Sequence, residues 1–243
     1  MSGKPLLYVG LDYDDTAQAL EFARELNEVP RDGFGFKTNL DGVIWEGLRN
    51  PESSTRKIIA TGRPSFIDFK MWNGGRTMSN VARQCADVGV DLINMYAGHA
   101  GEKFIGQVVR AVEGSKTKVF GLTVLSHYTD ADCQRIYGCS LKDAVRKLAD
   151  IAYNGGCHGI IAPGTALDVI QHIPLPKLVP AARPRWYGKT GENSQEQESY
   201  IDDAIRAGAD FLVCSTPIRK SSDRKAALIR TLDEMVAAAS ERS

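Results

Sequence analysis

The sequence predicts an α/β fold, a (β/α)8 TIM barrel, and three observations carry that reading. Short apolar runs alternate eight times with amphipathic stretches along the chain. Each strand-plus-helix unit runs to roughly 30 residues, the length of a βαβ unit and not of a solenoid repeat. No Gly/Ser linker or charge block divides the 243 residues, so residues 1–243 are expected to form a single barrel domain.

The elements follow in order. The first run, 6–11 (LLYVGL), is strand-like, and Ala17, Leu20, Phe22, Ala23 and Leu26 behind it form a stripe at helical spacing. The second is 33–37 (GFGFK), followed by a weaker helical stretch over 43–48. The third is 65–70 (SFIDFK) with a helix expected over 77–88, and the fourth is 91–95 (DLINM) with one over 104–112. Residues 118–124 (KVFGLTV) lead to a helix over 140–154, and 159–162 (GIIA) to one over 165–171. A short seventh run, 177–179, is followed after a loop by a helix over 196–207. The eighth, 210–214 (DFLVC), precedes a closing helix over 223–239. The one irregular stretch, 183–195, is polar and glycine-bearing and follows the seventh strand, at the end of the barrel where active sites sit. It reads as a lid.

Composition bounds the function. The hydrophobic share of 43% and the charged share of 25% suit a water-soluble packed core. Thirty basic and thirty acidic side chains cancel, so no global field recruits nucleic acid or an anionic membrane, and only a local basic pocket is left open. No apolar run approaches the roughly 18 residues of a membrane span. The opening MSGKPLLYVGLDYDD turns acidic too soon for a secretory signal. Cys85, Cys133, Cys139, Cys157 and Cys214 form no CxxC pair, which argues against a disulfide framework or a Cys-rich zinc site. The expected compartment is a reducing cytoplasm.

Charge at strand ends is the informative signal. Asp12, Lys37, Asp68 and Lys70 each close an apolar run. Charges enter a barrel mouth only when paired, because desolvation costs several kcal/mol per ion. Asp68 and Lys70 stand two apart on a strand and so point to one face. With Asp12 and Lys37 from neighbouring strands they make an alternating acid and base array, either a site or a set of ion pairs closing the barrel.

Asp68-Phe69-Lys70-Met71-Trp72-Asn73, with Thr77 four residues on, resembles the DxKxxD motif of the orotidine 5'-monophosphate decarboxylase suprafamily. The resemblance spans almost the whole chain: Gly10-Leu11-Asp12, Lys37, the segment 122–126 ending in Ser126, the segment 180–184 similar to PGIRP, Gln195, and Thr216-Pro217-Ile218. It implies a barrel that converts orotidine 5'-monophosphate to uridine 5'-monophosphate without a cofactor, in pyrimidine biosynthesis. Lys37, Asp68, Lys70 and Asn73 are its implied catalytic positions. Asp12, Thr77, Ser126, Arg183, Gln195 and Thr216 are the implied substrate contacts. Asp68 would press on the substrate carboxylate, and Lys70 would face the carbanion at C6 and protonate it. The resemblance further implies a homodimer, with Asn73 and Thr77 contributed across the interface.

Three positions depart from the pattern: Asn73 replaces the motif's second Asp, Ala181 the glycine of PGIRP, and Thr216 an arginine that grips the 5'-phosphate. Lys37, Asp68, Lys70 and Asn73 sum to +1. Arg183, Arg185, Lys189, Arg219 and Lys220 are near enough in sequence to compensate for Thr216. Open alternatives are a diverged member acting on another nucleotide, nucleoside or sugar acid, and a weakly catalytic binder of a pyrimidine nucleotide. No metal is expected: Asp14 and Asp15 read as helix caps, and His99, His127, His158 and His172 share no ligand spacing.

Overall fold

The computed structural model of the protein describes residues 4–188 and 196–241. In chain order, β1 (Leu6–Gly10) and α1 (Thr16–Asn27) are followed by β2 (Phe34–Asn39), α2 (Leu40–Glu46) and α3 (Ser54–Ile59). Next come β3 (Ser65–Met71), α4 (Gly75–Asp87), β4 (Leu92–Tyr96) and α5 (Ala97–Arg110). Then follow β5 (Lys118–Leu122), α6 (Asp130–Tyr137), α7 (Leu141–Asn154), β6 (Gly159–Ile161) and a 3-10 turn (Gly164–Ile170). The chain continues through β7 (Lys177–Val179), β8 (Ala182–Arg183), β9 (Ser199–Tyr200) and α8 (Ile201–Arg206). It closes with β10 (Phe211–Cys214), α9 (Thr216–Arg219) and α10 (Arg224–Ser240).

Eight strands close into one parallel barrel: β1 pairs with β2 and so on to β7, which pairs with β10, which returns to β1. The expected fold class holds. The crossover helices pack their apolar stripes on the outside, where Phe22, Leu26, Met78, Val108, Leu148 and Leu228 are buried against the strands. A second, smaller cluster fills the inside of the barrel: Tyr8, Phe66, Leu92, Phe120, Leu122, Ile161, Leu178 and Val213. Alternation along each strand separates the two sets, since successive side chains point to opposite faces. The inner cluster is the floor on which the polar mouth stands.

Local chemistry sets the helix ends. Asp15 caps α1 by accepting the Ala17 N–H at 2.8 Å, the role expected of it. Thr129 and Asp132 form a capping box at α6, a helix the periodicity did not show. Where one weak helix over 43–48 was expected, two short ones stand, because Gly47 takes a positive φ and Ser53 starts α3. The stretch 183–195 also departs from expectation at its start. Arg183 belongs to β8, which pairs in parallel with β9 outside the barrel, so the segment is anchored by backbone pairing. The expected helix over 196–207 accordingly shortens to α8.

Candidate active site

The C-terminal ends of three adjacent strands, β1, β2 and β3, bring the charged residues together. Gly10 of β1 pairs with Lys37 of β2, and Asn39 of β2 with Asp68 of β3, which sets the stagger of the array. Asp12 follows β1 by two residues. A Cβ at Gly10 would stand 2.9 Å from both the Asp12 carboxylate and the Ser215 side chain, so glycine here lets those groups meet.

The contacts form a chain across the mouth. Lys37 Nζ donates to Asp12 Oδ1 at 2.9 Å and to Asn39 Oδ1 at 2.6 Å, and lies 3.8 Å from Asp68 Oδ2. Asn39 Nδ2 donates back to Asp12 Oδ1 at 3.0 Å. Lys70 Nζ donates to Asp68 Oδ2 at 2.6 Å. Lys37 is buried and Asp68 nearly so, whereas 39% of the Lys70 side chain is exposed. Two carboxylates and two ammoniums therefore cancel. The +1 of the four motif positions becomes neutral once Asp12 is counted.

Burial resists the charges of Asp12, Lys37 and Asp68, and their partners overcome it. The Asp12 carboxyl is penalised by burial, but the Lys37 charge and hydrogen bonds from Lys37, Ser215 and Asn39 bring it down to about 2. Burial likewise opposes ionisation of Asp68, and Lys37, Lys70 and Asn94 together hold it below its ordinary value. Lys37, fully enclosed, still titrates above the ordinary lysine because Asp12 and Asp68 face it.

Strand alternation alone does not place Lys70. Its φ is 47°, a left-handed backbone that side chains rarely adopt, and the β3–β4 register shifts between Ile67 and Met71. Asn94 of β4 makes the kink possible. Its Oδ1 accepts the Lys70 N–H at 2.7 Å and its Nδ2 donates to Asp68 Oδ1 at 2.7 Å. Sequence reasoning missed Asn94, although a buried amide in the middle of the apolar run LINMY was a visible signal. Asn39, two residues after Lys37 and thus on its face, was missed too.

The array lines a cavity of about 250 Å³ walled by Leu122, Leu125, Ser126, His127, Ile161, Pro180, Ala181, Arg183, Ser215 and Thr216. Ser126 and Thr216 are buried there, and Ser215 Oγ donates to the Gly10 carbonyl at 2.9 Å. Arg183 lines the wall but is bound to the buried Glu198, Nε at 2.8 Å and Nη2 at 2.7 Å from its Oε1. Arg185 and Arg219 do not line this cavity. Arg185 pairs with Asp202 and Asp203, and Arg219 lies over the Tyr13 ring. Gln195 and Lys189 lie outside the described residues. Gln197 instead ties the neighbouring segment to the wall, its N–H donating to the Ser126 carbonyl at 2.9 Å and its Nε2 to that of Tyr128 at 3.1 Å.

Asn73 and Thr77 are not part of this cavity. They line an adjoining groove of about 630 Å³ with Leu40, Val43, Ile44, Phe69 and Trp72, and Asn73 Oδ1 accepts the Gly74 N–H at 2.8 Å. Trp72 sets its ring edge-on to His99, and His127 alone of the four histidines lines the cavity. Among the described residues no group of three His, Cys, Asp or Glu side chains is placed to hold a metal ion. What the mouth offers is a fixed carboxylate beside an accessible ammonium, over an apolar floor.

Comparison with known proteins agrees with this geometry. The chain is 30% identical over 240 residues to an orotidine 5'-phosphate decarboxylase of Caulobacter sp. (strain K31), covering 97% of this chain and 99% of that one. It is 26% identical over 236 residues to the enzyme of the same name from Nautilia profundicola (strain ATCC BAA-1463 / DSM 18972 / AmH), covering 94% and 98%. The crystal structure of orotidine 5'-phosphate decarboxylase from Lactobacillus acidophilus superposes with a TM-score of 0.78 at 23% identity, covering 96% and 99%. The profile of one family matches residues 5–230, a span that includes the three strands of the charged array. By that match and by the barrel that presents Asp12, Lys37, Asp68 and Lys70, the chain belongs to the orotidine 5'-phosphate decarboxylase / HUMPS family.

Proposed function

We propose that the protein is a cofactor-independent carboxy-lyase that converts orotidine 5'-monophosphate to uridine 5'-monophosphate, a step of pyrimidine biosynthesis. The observation that carries this is the Lys37–Asp68–Lys70 contact set, an anion locked between two cations at the mouth of the cavity. A substrate carboxylate seated beside Asp68 meets a charge that its surroundings hold ionised. As the bond from C6 to the carboxyl carbon breaks, carbon dioxide leaves and the electron pair stays on C6. Lys70, the cation with room to reach ligand, stabilises that pair and transfers a proton to C6. Preorganised charge aimed at developing charge is the largest catalytic contribution in most enzymes. Ser126 and Gln195 would hold the pyrimidine, Asp12 and Lys37 the ribose, and Arg183 and Thr216 the far end.

The working unit we infer is a cytoplasmic homodimer of single-domain barrels. Ile44, Trp45 and Trp72, exposed by 71%, 85% and 69%, form an apolar patch beside the groove that holds Asn73 and Thr77. A second copy packed there would bring those two residues to the partner's mouth. A decarboxylation assay of this chain beside its Asn73→Asp variant tests the function. Turnover of orotidine 5'-monophosphate by either supports it, with the higher rate expected from the variant, and silence in both rejects it.

One observation favours a second reading. At the Ser215 and Thr216 end the cavity's cation, Arg183, is already neutralised by Glu198. A nucleoside or sugar acid without a phosphate would suit such an end. Comparing kcat/KM for orotidine and its 5'-phosphate separates the two, because a gripped phosphate must favour the nucleotide strongly.

A further inference from the structure

The face of α4 that meets α5 carries cations that the barrel mouth does not use. Arg76 and Arg83 stand seven residues apart on one side of α4, with Ser79 and Asn80 between them. Gln107, Arg110 and Ala111 complete the opposite wall of a cleft of about 450 Å³. All three arginines are exposed. Several arginines elsewhere on the surface are paired: Arg31 with Asp233, Arg206 with Asp202 and Glu241, and Arg224 with Glu25. Among the described residues no carboxylate pairs with Arg76, Arg83 or Arg110. Arg83 Nη1 donates to the neutral Asn80 Oδ1 at 2.7 Å, and the nearby Asp87 is engaged by Arg49 at 3.9 Å.

Two glycines, one on each helix, lie beside residues of the lining. A Cβ at Gly75 would stand 1.9 Å from Gln107 Oε1, so only glycine lets that carboxamide lie against α4. A Cβ at Gly106 would lie 3.2 Å from Arg110 Nη1, which places that guanidinium close along its own helix. Three neighbouring guanidiniums repel one another, and on a chain of zero net charge a bound anion is the counter-charge that relieves them.

We propose that this cleft binds a small multivalent phosphate anion, a diphosphate or triphosphate group, at a site separate from the barrel mouth. Guanidinium forks match phosphate oxygens two at a time, and Ser79, Asn80 and Gln107 add neutral hydrogen-bonding groups. Seven residues of helix separate Arg76 from Arg83 by about 10 Å, which is wider than one phosphate fills and suits a short phosphate chain. The lining contains no aromatic ring for a base to stack on.

The test is a titration of the full chain with inorganic tripolyphosphate, following the side-chain Nε–H resonances of Arg76, Arg83 and Arg110. These report the cleft directly, so the result is independent of any activity at the mouth. The three resonances are expected to shift along one saturable curve that weakens as salt is added. Arg83→Ala should weaken binding about tenfold or more, since charge-assisted bonds to phosphate are lost, and Arg83→Ala with Arg110→Ala should remove the shift of Arg76. Circular dichroism of both variants should match the parent, because the replaced side chains are exposed. Absence of a saturable shift at millimolar tripolyphosphate, or a shift that persists unchanged in the double variant, overturns the proposal. A single-stranded RNA oligonucleotide that binds more tightly through the same resonances overturns it as well, by making the cleft a nucleic-acid surface.

Discussion

Asn94 ties Lys70 to Asp68 through two groups of one side chain, its Oδ1 on the Lys70 N–H and its Nδ2 on the Asp68 carboxylate, each at 2.7 Å. One buried amide thus fixes both the backbone turn that aims the lysine and the orientation of the anion beside it. Asn94→Ala should cost about 1–3 kcal/mol of stability, the usual penalty for orphaned buried polar partners. It should also lower kcat more than it raises KM, because positioning is lost while the cavity stays open. Urea unfolding and steady-state kinetics check the two effects, and a variant with parent kcat would remove Asn94 from the positioning role.

Lys70 combines an exposed side chain with a strained backbone. Lys70→Ala should reduce kcat/KM for decarboxylation by about a thousandfold or more, since a preorganised charge at the reacting centre is removed. The fold should survive. Lys70→Gly should be as inactive yet more stable than Lys70→Ala by roughly 1 kcal/mol, because glycine accepts a φ of 47° without strain. Thermal unfolding of the pair isolates the backbone contribution, and equal melting temperatures would contradict it.

Stability should fall in acid for a reason the array supplies. The Asp12 carboxyl drops from 3.8 to about 2 in the folded protein, and that of Asp68 is also lowered. The unfolded chain therefore binds these protons first. Their contribution is complete above about pH 4 and is lost as pH falls through about 2. Lys37 shifts upward, so its contribution is intact below its ordinary 10.5 and fades only as pH rises beyond that. Chemical denaturation across the acid range should show a shallower loss for Asp12→Asn than for the parent.

The apolar patch predicts assembly. Replacing Ile44 and Trp72 together by glutamate should give a monomer by light scattering and depress decarboxylation, because Asn73 and Thr77 would no longer reach a partner's mouth. A parent chain that is itself monomeric at micromolar concentration would refute the interface.

The barrel was legible in the sequence because each strand leaves an apolar run and each crossover helix an apolar stripe. Asp12, Lys37, Asp68 and Lys70 were legible for a related reason: a charge at the end of an apolar run is expensive unless it has partners. The partners themselves were harder to read. Asn39 and Asn94 carry no charge, and only their hydrogen bonds to the ions give them weight. The pairing of β8 with β9 was hidden because two-residue strands leave no periodicity, and the Arg183–Glu198 contact joins residues fifteen apart across a loop. Lys70 was expected on the face of Asp68 from alternation alone, whereas its left-handed backbone and the register shift beside it, with Asn94 of another strand bonded to its N–H, leave no mark in its own spacing.

Ala182 pairs with Ser199 and Arg183 with Tyr200, so the two ends of the intervening segment are clipped together outside the barrel. A clipped segment behaves as an exchangeable cassette. Its ends are held by this pairing together with the Arg183–Glu198 and Gln197–Ser126 contacts, and doubling the length of a flexible insert between them adds only about 0.6 kcal/mol of closure entropy. The residues between the clips can therefore be lengthened, shortened or grafted from a relative while the eight strands keep their register. The eight strands, and with them Asp12, Lys37, Asp68 and Lys70, keep their places under such an exchange.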